Sequence, residues 1–245
     1  MAALLKNAVK EMMKEGKPAL GMIARLGRSG DIARIAKTTG HIAQAALGCG
    51  VVPMARVRSC DDPDTQVLLD NGIMGIVFPD INTADEARRA VNRAKFPPIG
   101  RRSVSGSYTM FDFRAVSTGD AVKAINENTL VVCMIETQEG LDNVNEIAAV
   151  EGVDVIHVGS NDLMTALGKP GAYGTPEHIA ALDRVFAAAK AHGKIPGVGG
   201  DRNVPRQMEF IRKGARFLTT NSDIAFMMAE ASRVTGELRK ALASA

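Results

Sequence analysis

Residues 130–163 constrain this chain most. The run LVVCMI at 130–135 is apolar without interruption and stops at Glu136. A helical period follows through Leu141, Val144, Ile147 and Ala148, and residues 153–158 are apolar again. Strand, helix and strand in that order make a parallel βαβ unit, whose two strands end at the same edge of one sheet. Glu136 closes the first strand and Asp162 lies just past the second, so two carboxylates are expected side by side. Their oxygens are hard donors, and a pair of them at strand C-termini suits a divalent cation.

The same alternation runs along most of the chain. Strands are expected near residues 20, 53, 76, 132, 156, 197 and 218, separated by helices at 4–14, 83–92, 120–127, 176–192, 204–213 and from 224 onward. Asn82 or Thr83 is placed to cap the 83–92 helix, and Gly72 lies just past the end of the helix before it. Strands alternating with helices imply a parallel sheet with helices outside. No Gly-x-Gly-x-x-Gly follows the first strand, which disfavours a dinucleotide-binding sheet. At 245 residues the chain fits a (β/α)8 TIM barrel, read here as one domain over 1–245.

A barrel needs eight strands, and only seven are found. The helix at 29–39 runs through Gly40 directly into a second helical pattern, HIAQAALGCG, so the second strand is missing between Gly40 and His41. Either the wall is open there, or the polypeptide carries further residues and an intact mass about 2 kDa above 25.9 kDa, the size of a strand and its loop. One long segment, KFPPIGRRSVSGSYTMFDFRAVSTG, has no strong period and is expected to be a functional loop or an oligomer contact.

Thirty basic against 27 acidic side chains leave a charge of +3, and with two Tyr and no Trp this argues against a nucleic-acid partner. Three cysteines, Cys49, Cys60 and Cys133, show neither a disulfide framework nor zinc spacing. The N-terminus interleaves charged and apolar residues, and no window approaches a membrane span. A cytoplasmic protein with no membrane partner is the expectation.

The motif IETQEGLDNVNEIAAVEGVDVIHVGSNDL resembles the signature of the HpcH/HpaI aldolase/citrate lyase family, metal-dependent class II pyruvate aldolases such as those acting on 4-hydroxy-2-oxoheptanedioate or 2-keto-3-deoxy sugar acids. The segments LLDNGIMGIVFPDINTADEARRAV, FPPIGRR and GARFLTT agree with it in order. The resemblance implies a barrel with its active site at the strand C-termini and a homo-oligomer, trimer or hexamer, exchanging C-terminal helices. It also implies reversible cleavage of 2-oxo-4-hydroxy acids to pyruvate and an aldehyde through a pyruvate enolate, with Mg2+, Mn2+ or Co2+ as cofactor.

Position by position, the resemblance makes Glu136 and Asp162 metal ligands, Arg56 the catalytic arginine on the pyruvate oxygens, and Gly159, Ser160 and Asn161 the turn that binds the pyruvate carboxylate. Arg58 competes with Arg56, and Arg102 is either near the site or structural. The general-base histidine falls in the missing strand; His41 is not given its role. His157 reads as a buried packing residue, His178 and His192 as exposed, and Met12, Met13, Met227 and Met228 as packing on helical faces. No lysine ends a strand, which argues against Schiff-base chemistry. The alternatives are a citrate- or malyl-CoA-type thioester lyase, and a non-catalytic barrel that binds metal and an oxo acid.

Overall fold

The computed structural model describes residues 5–23, 51–106 and 108–244. Its centre is a seven-stranded, all-parallel sheet: β1 (Ala19–Ile23), β2 (Ala55–Arg56), β3 (Gly75–Phe78), β4 (Leu130–Ile135), β5 (Val155–Gly159), β6 (Ile195–Gly199) and β7 (Phe217–Ser222). The spatial order is β1-β7-β6-β5-β4-β3-β2. Each strand from β2 to β6 pairs with its successor, and β1 returns to pair with β7. Such an order is cyclic with one break, so the sheet curls back on itself.

The break lies between β1 and β2, the two strands that flank residues 24–50. The expectation of a closed eight-strand barrel is therefore corrected: among the described residues the sheet is a seven-stranded half-barrel with two open edges. The 29–39 helix, the HIAQAALGCG helix, the Gly40–His41 junction and Cys49 lie outside the described residues. The second edge is also shorter than its apolar run, because β2 comprises only Ala55 and Arg56.

Strand alternation divides the core into two layers. Val131, Cys133, Ile135, Ile156 and Val158 face outward and pack under the helices with Leu182, Val185 and Phe210. Leu130, Val132, Val155 and Phe217 face the concave side, where Met13 of helix α1 (Ala8–Lys14) joins them. Two of the expected packing methionines behave differently on the last helix: Met227 and Met228 are exposed, as is Met12.

Helix boundaries follow local chemistry. Helix α2 is Asp64–Asp70, and α3 (Ala84–Ala94) starts with a capping box in which Thr83 accepts from the Glu86 N–H and the Glu86 side chain accepts from the Thr83 N–H. Between β4 and β5 the expected single helix is two short ones, α5 (Gln138–Asp142) and α6 (Val144–Ala148), meeting at Asn143; α4 is Thr118–Asn128. After β5 come α7 (Ser160–Ala166) and α8 (Pro176–Ala191), then α9 (Val204–Lys213) and α10 (Asp223–Ala243). The long segment after α3 has one 3-10 turn at Thr109–Phe111 and closes a satellite cluster of Phe96, Tyr108, Phe111 and Ile125. Among the described residues, no helix is long and apolar enough to cross a membrane.

Candidate active site at the C-terminal edge of the sheet

Register places the two signature motifs against each other. Ile135 pairs with Val158, so the next residues, Glu136 and Gly159, adjoin at the strand ends. A Cβ on Gly159 would sit 2.6 Å from Glu136 Oε2 and 3.0 Å from Met134 Cε. Glycine is what lets the carboxylate occupy this position.

Glu136 is 2% exposed. Its Oε1 accepts from the Asp80 backbone N–H at 3.0 Å and lies 3.6 Å from Arg56 Nη2. Its Oε2 is buried with no hydrogen-bond partner among the described residues. Burial pushes the Glu136 carboxyl up to about 7; the Asp80 N–H and the Arg56 charge pull it down, while the Asp80 and Asp162 charges push it further up. Asp162, exposed in the first turn of α7, is thus close enough to be felt electrostatically.

The structure separates the two candidate arginines. Arg56 ends β2 and reaches Glu136, whereas Arg58 is held by Asp62 at 2.9 Å and Asp64 at 2.9 Å, on the loop that leads into α2. Arg102 is taken up elsewhere: its buried side chain pairs with Asp70 at 2.6 Å and lies 4.5 Å from the Phe96 ring centroid.

Gly159, Ser160 and Asn161 form the turn from β5 into α7, where the first N–H groups of a helix lack intrahelical acceptors. Asn161 bonds the Tyr173 hydroxyl. Ser160 is fully buried and bonded to His178 Nε2 at 3.0 Å. Here the expected exposed histidine is corrected: His178 is fully buried, because α8 turns that face onto α7 and Phe210. Its Nδ1 accepts from the Gly174 N–H at 3.0 Å, so Nε2 carries the proton and donates to Ser160 Oγ. Ser160 keeps its own hydroxyl hydrogen to donate.

Two features of the sheet ends escape sequence reading. Asp80 holds φ at 51°, a conformation rare for a non-glycine residue, and this presents its N–H to Glu136. No motif signals that strain. Lys95 is a buried lysine whose amine is pushed down to about 8, mainly by burial. It donates to the carbonyls of Asn126 and Thr129 and lies 3.3 Å from Asp154, all before the first residues of β4 and β5. Six strand residues at roughly 3.3 Å each separate that end from Glu136. Lys95 therefore sits at the wrong end of the sheet to form a Schiff base beside Glu136.

His157 is buried on the concave face, edge-on to Phe217 at 5.4 Å, with Nδ1 lacking a partner among the described residues. Burial, and then the Arg56 charge, push it down to about 4. Unfolded histidine titrates near 6.5, so the folded state takes up this proton less readily. The contribution is fully present above pH 6.5 and is lost as pH falls towards 4, by up to about 3 kcal/mol. Urea unfolding at pH 7 and pH 4.5 should show a smaller acid loss in His157→Asn than in the wild type; equal losses would remove His157 as the cause.

The carboxylates fit a hard divalent cation. Among the described residues Glu136 Oε2 is a buried oxygen without a donor, and both candidates offer oxygen ligands only. No cluster of three or more His, Cys, Asp or Glu that could hold a metal occurs among the described residues. Ions such as Mg2+ are commonly bound by one or two carboxylates, with water and substrate completing the shell.

Several known proteins are similar to this chain over most of its length. The 4-hydroxy-4-methyl-2-oxoglutarate aldolase of Chaetomium globosum is 43% identical over 164 residues, 66% of this chain and 61% of that protein. This chain thus spans less than two thirds of that relative's length. The 5-keto-4-deoxy-D-glucarate aldolase of Citrobacter koseri is 35% identical over 198 residues, 80% of this chain and 75% of that one. The crystal structure of an HpcH/HpaI aldolase from Desulfitobacterium hafniense DCB-2 superimposes with a TM-score of 0.84 at 26% identity, covering 94% of this chain and 96% of that one. Because the family's sequence pattern also matches residues 30–229, most of its length, the chain belongs to the HpcH/HpaI aldolase/citrate lyase family.

Proposed function

We propose that this chain is a divalent-metal-dependent aldolase that cleaves 2-oxo-4-hydroxy acids to pyruvate and an aldehyde, and runs the reaction in reverse. The observation that carries the reading is the buried Glu136 carboxylate with one oxygen unpartnered among the described residues, beside Arg56 and Asp162 at the C-terminal strand edge. The aldolase names of the relatives support it.

Glu136 and Asp162 would hold the cation, with Mg2+, Mn2+ and Co2+ all matching the oxygen donors. When bound, it supplies Lewis-acid polarisation of the 2-oxo acid oxygens. Arg56 adds a fixed positive charge where the cleaved bond leaves its electron pair, on the pyruvate fragment. The Asp80 N–H holds Glu136 Oε1 in place, so Oε2 faces its ligand in a single orientation. The turn at Gly159, Ser160 and Asn161 would take the substrate carboxylate on its N–H groups, with His178 locking the Ser160 side chain.

Proton exchange at the pyruvate methyl group tests this directly. Exchange should require added divalent metal and fall to background in Glu136→Ala. Exchange that a chelator leaves untouched would overturn the reading.

The chain is further read as one domain that assembles into a trimer or hexamer by exchanging α10. Support comes from that helix, which has no buried residue among the described residues while presenting Phe226, Met227, Met228, Leu238 and Leu242. Light scattering should give a multiple of 25.9 kDa that drops when residues 223–245 are removed; a monomeric intact chain would refute it. The free, buried thiols of Cys60 and Cys133 support a reducing, cytoplasmic setting.

A further inference from the structure

A second polar cavity, of about 400 Å3, lies outside the sheet between α2, α3 and the Arg101–Arg102 loop. Arg89, Arg93, Arg101 and Arg102 line it, with Asp61 the sole carboxylate in its wall among the described residues. Their engagement is incomplete. Arg89 is bound by Asp61 at 3.1 Å and by Cys60 Sγ at 3.4 Å, with Glu86 at 3.9 Å. Arg93 approaches only Asp61, at 3.9 Å, and Arg101 is exposed with no ion pair among the described residues.

Two buried groups in the same wall lack partners. The Arg102 side chain is 0% exposed, and while its Nη2 meets Asp70, its Nε and Nη1 have no acceptor among the described residues. The hydroxyl of Thr65, which is 1% exposed, is likewise unpaired. Buried donors left without acceptors are costly, and a buried guanidinium more so. Burial indeed pushes Arg102 below the ordinary arginine range, with Asp70 only partly restoring it. An oxyanion in the cavity meets the exposed guanidinium groups of Arg89, Arg93 and Arg101, while the Arg102 and Thr65 donors lie behind the wall, out of its reach.

We propose that this cavity binds a phosphate group, either as the free ion or as part of a small phosphomonoester. Guanidinium groups match tetrahedral oxyanions through paired N–H donors, and the exposed Arg89, Arg93 and Arg101 beside Asp61 leave an excess of positive charge. The cavity is built by helices and a loop rather than by strand ends, so its occupant is separate from the substrate at Glu136.

Titration of the full-length chain with inorganic phosphate and with glycerol phosphate, followed by calorimetry in chloride buffer, tests the assignment. Both Arg93→Ala and Arg101→Ala alter exposed or half-exposed side chains, so the double variant should fold and keep metal-dependent pyruvate exchange. Its phosphate affinity should fall at least tenfold. Tighter binding of glycerol phosphate would identify an esterified ligand, and equal or weaker binding the free ion; either supports the site. The proposal is overturned if phosphate does not bind the wild type, or if the double variant binds it unchanged; loss of binding in Arg56→Ala would then move the phosphate to the Glu136 site. A double variant that alters the oligomeric mass of a chain binding no phosphate would instead assign the cavity to a carboxylate of a second copy.

Discussion

Gly159→Ala should lower the proposed aldolase turnover by about 100-fold while the protein stays folded, since displacement of a catalytic group by about 1 Å costs on that order. The new Cβ would lie 2.6 Å from Glu136 Oε2, too close for any real contact, and 3.2 Å from Glu136 Cβ, so the glutamate must shift. Met134 Cε, at 3.0 Å, can swing away because it ends a flexible side chain. The Glu136 carboxylate can retreat only by giving up the Asp80 N–H or the approach to Arg56. Turnover measured at saturating metal, beside a thermal midpoint, separates misplacement from unfolding. A variant with wild-type turnover would mean that Glu136 Oε2 is not positioned by Gly159.

The other large effect concerns stability. Gly100→Ala should destabilise the chain by about 3 kcal/mol, at the upper end of overpacking costs. A Cβ there would meet the Lys95 carbonyl oxygen at 2.3 Å and the Val91 carbonyl oxygen at 2.7 Å. Both are backbone atoms at the end of α3, and neither can rotate away. The Gly100 N–H bonds the Phe96 carbonyl, while the Arg101 and Arg102 N–H groups return to the Asn92 and Lys95 carbonyls. Pushing Gly100 outward would therefore also break the stitching that sets Arg101 and Arg102 in place. Urea unfolding reads the change; a midpoint matching the wild type would show that the loop yields at little cost.

Much of this architecture was legible from local pattern alone. The apolar runs at 130–135 and 153–158 became β4 and β5 within two residues, since fully buried parallel strands must be apolar on both faces. Capping chemistry was equally direct at Thr83, where an oxygen side chain precedes a glutamate three positions on. The choice between Arg56 and Arg58 was not legible, because two residues apart on a strand point to the same face. It was decided by where β2 stops. His178 was misread for a related reason: helical spacing says which residues share a face, not which element covers it.

The sequence by itself determined the parallel αβ alternation, the family, and the carboxylates and glycine that meet at the ends of β4 and β5. These depend on periodicity and on short motifs, which are local. Only the tertiary structure decided the rest: the pairing of β1 with β7 with the break left between β1 and β2 among the described residues, the positive-φ turn at Asp80 that aims an N–H at Glu136, the burial of His178 behind Ser160, and the convergence of arginines on one cavity. Each depends on contacts between segments far apart in the chain. Burial, desolvation and strand order are properties of those contacts, and no local pattern encodes them.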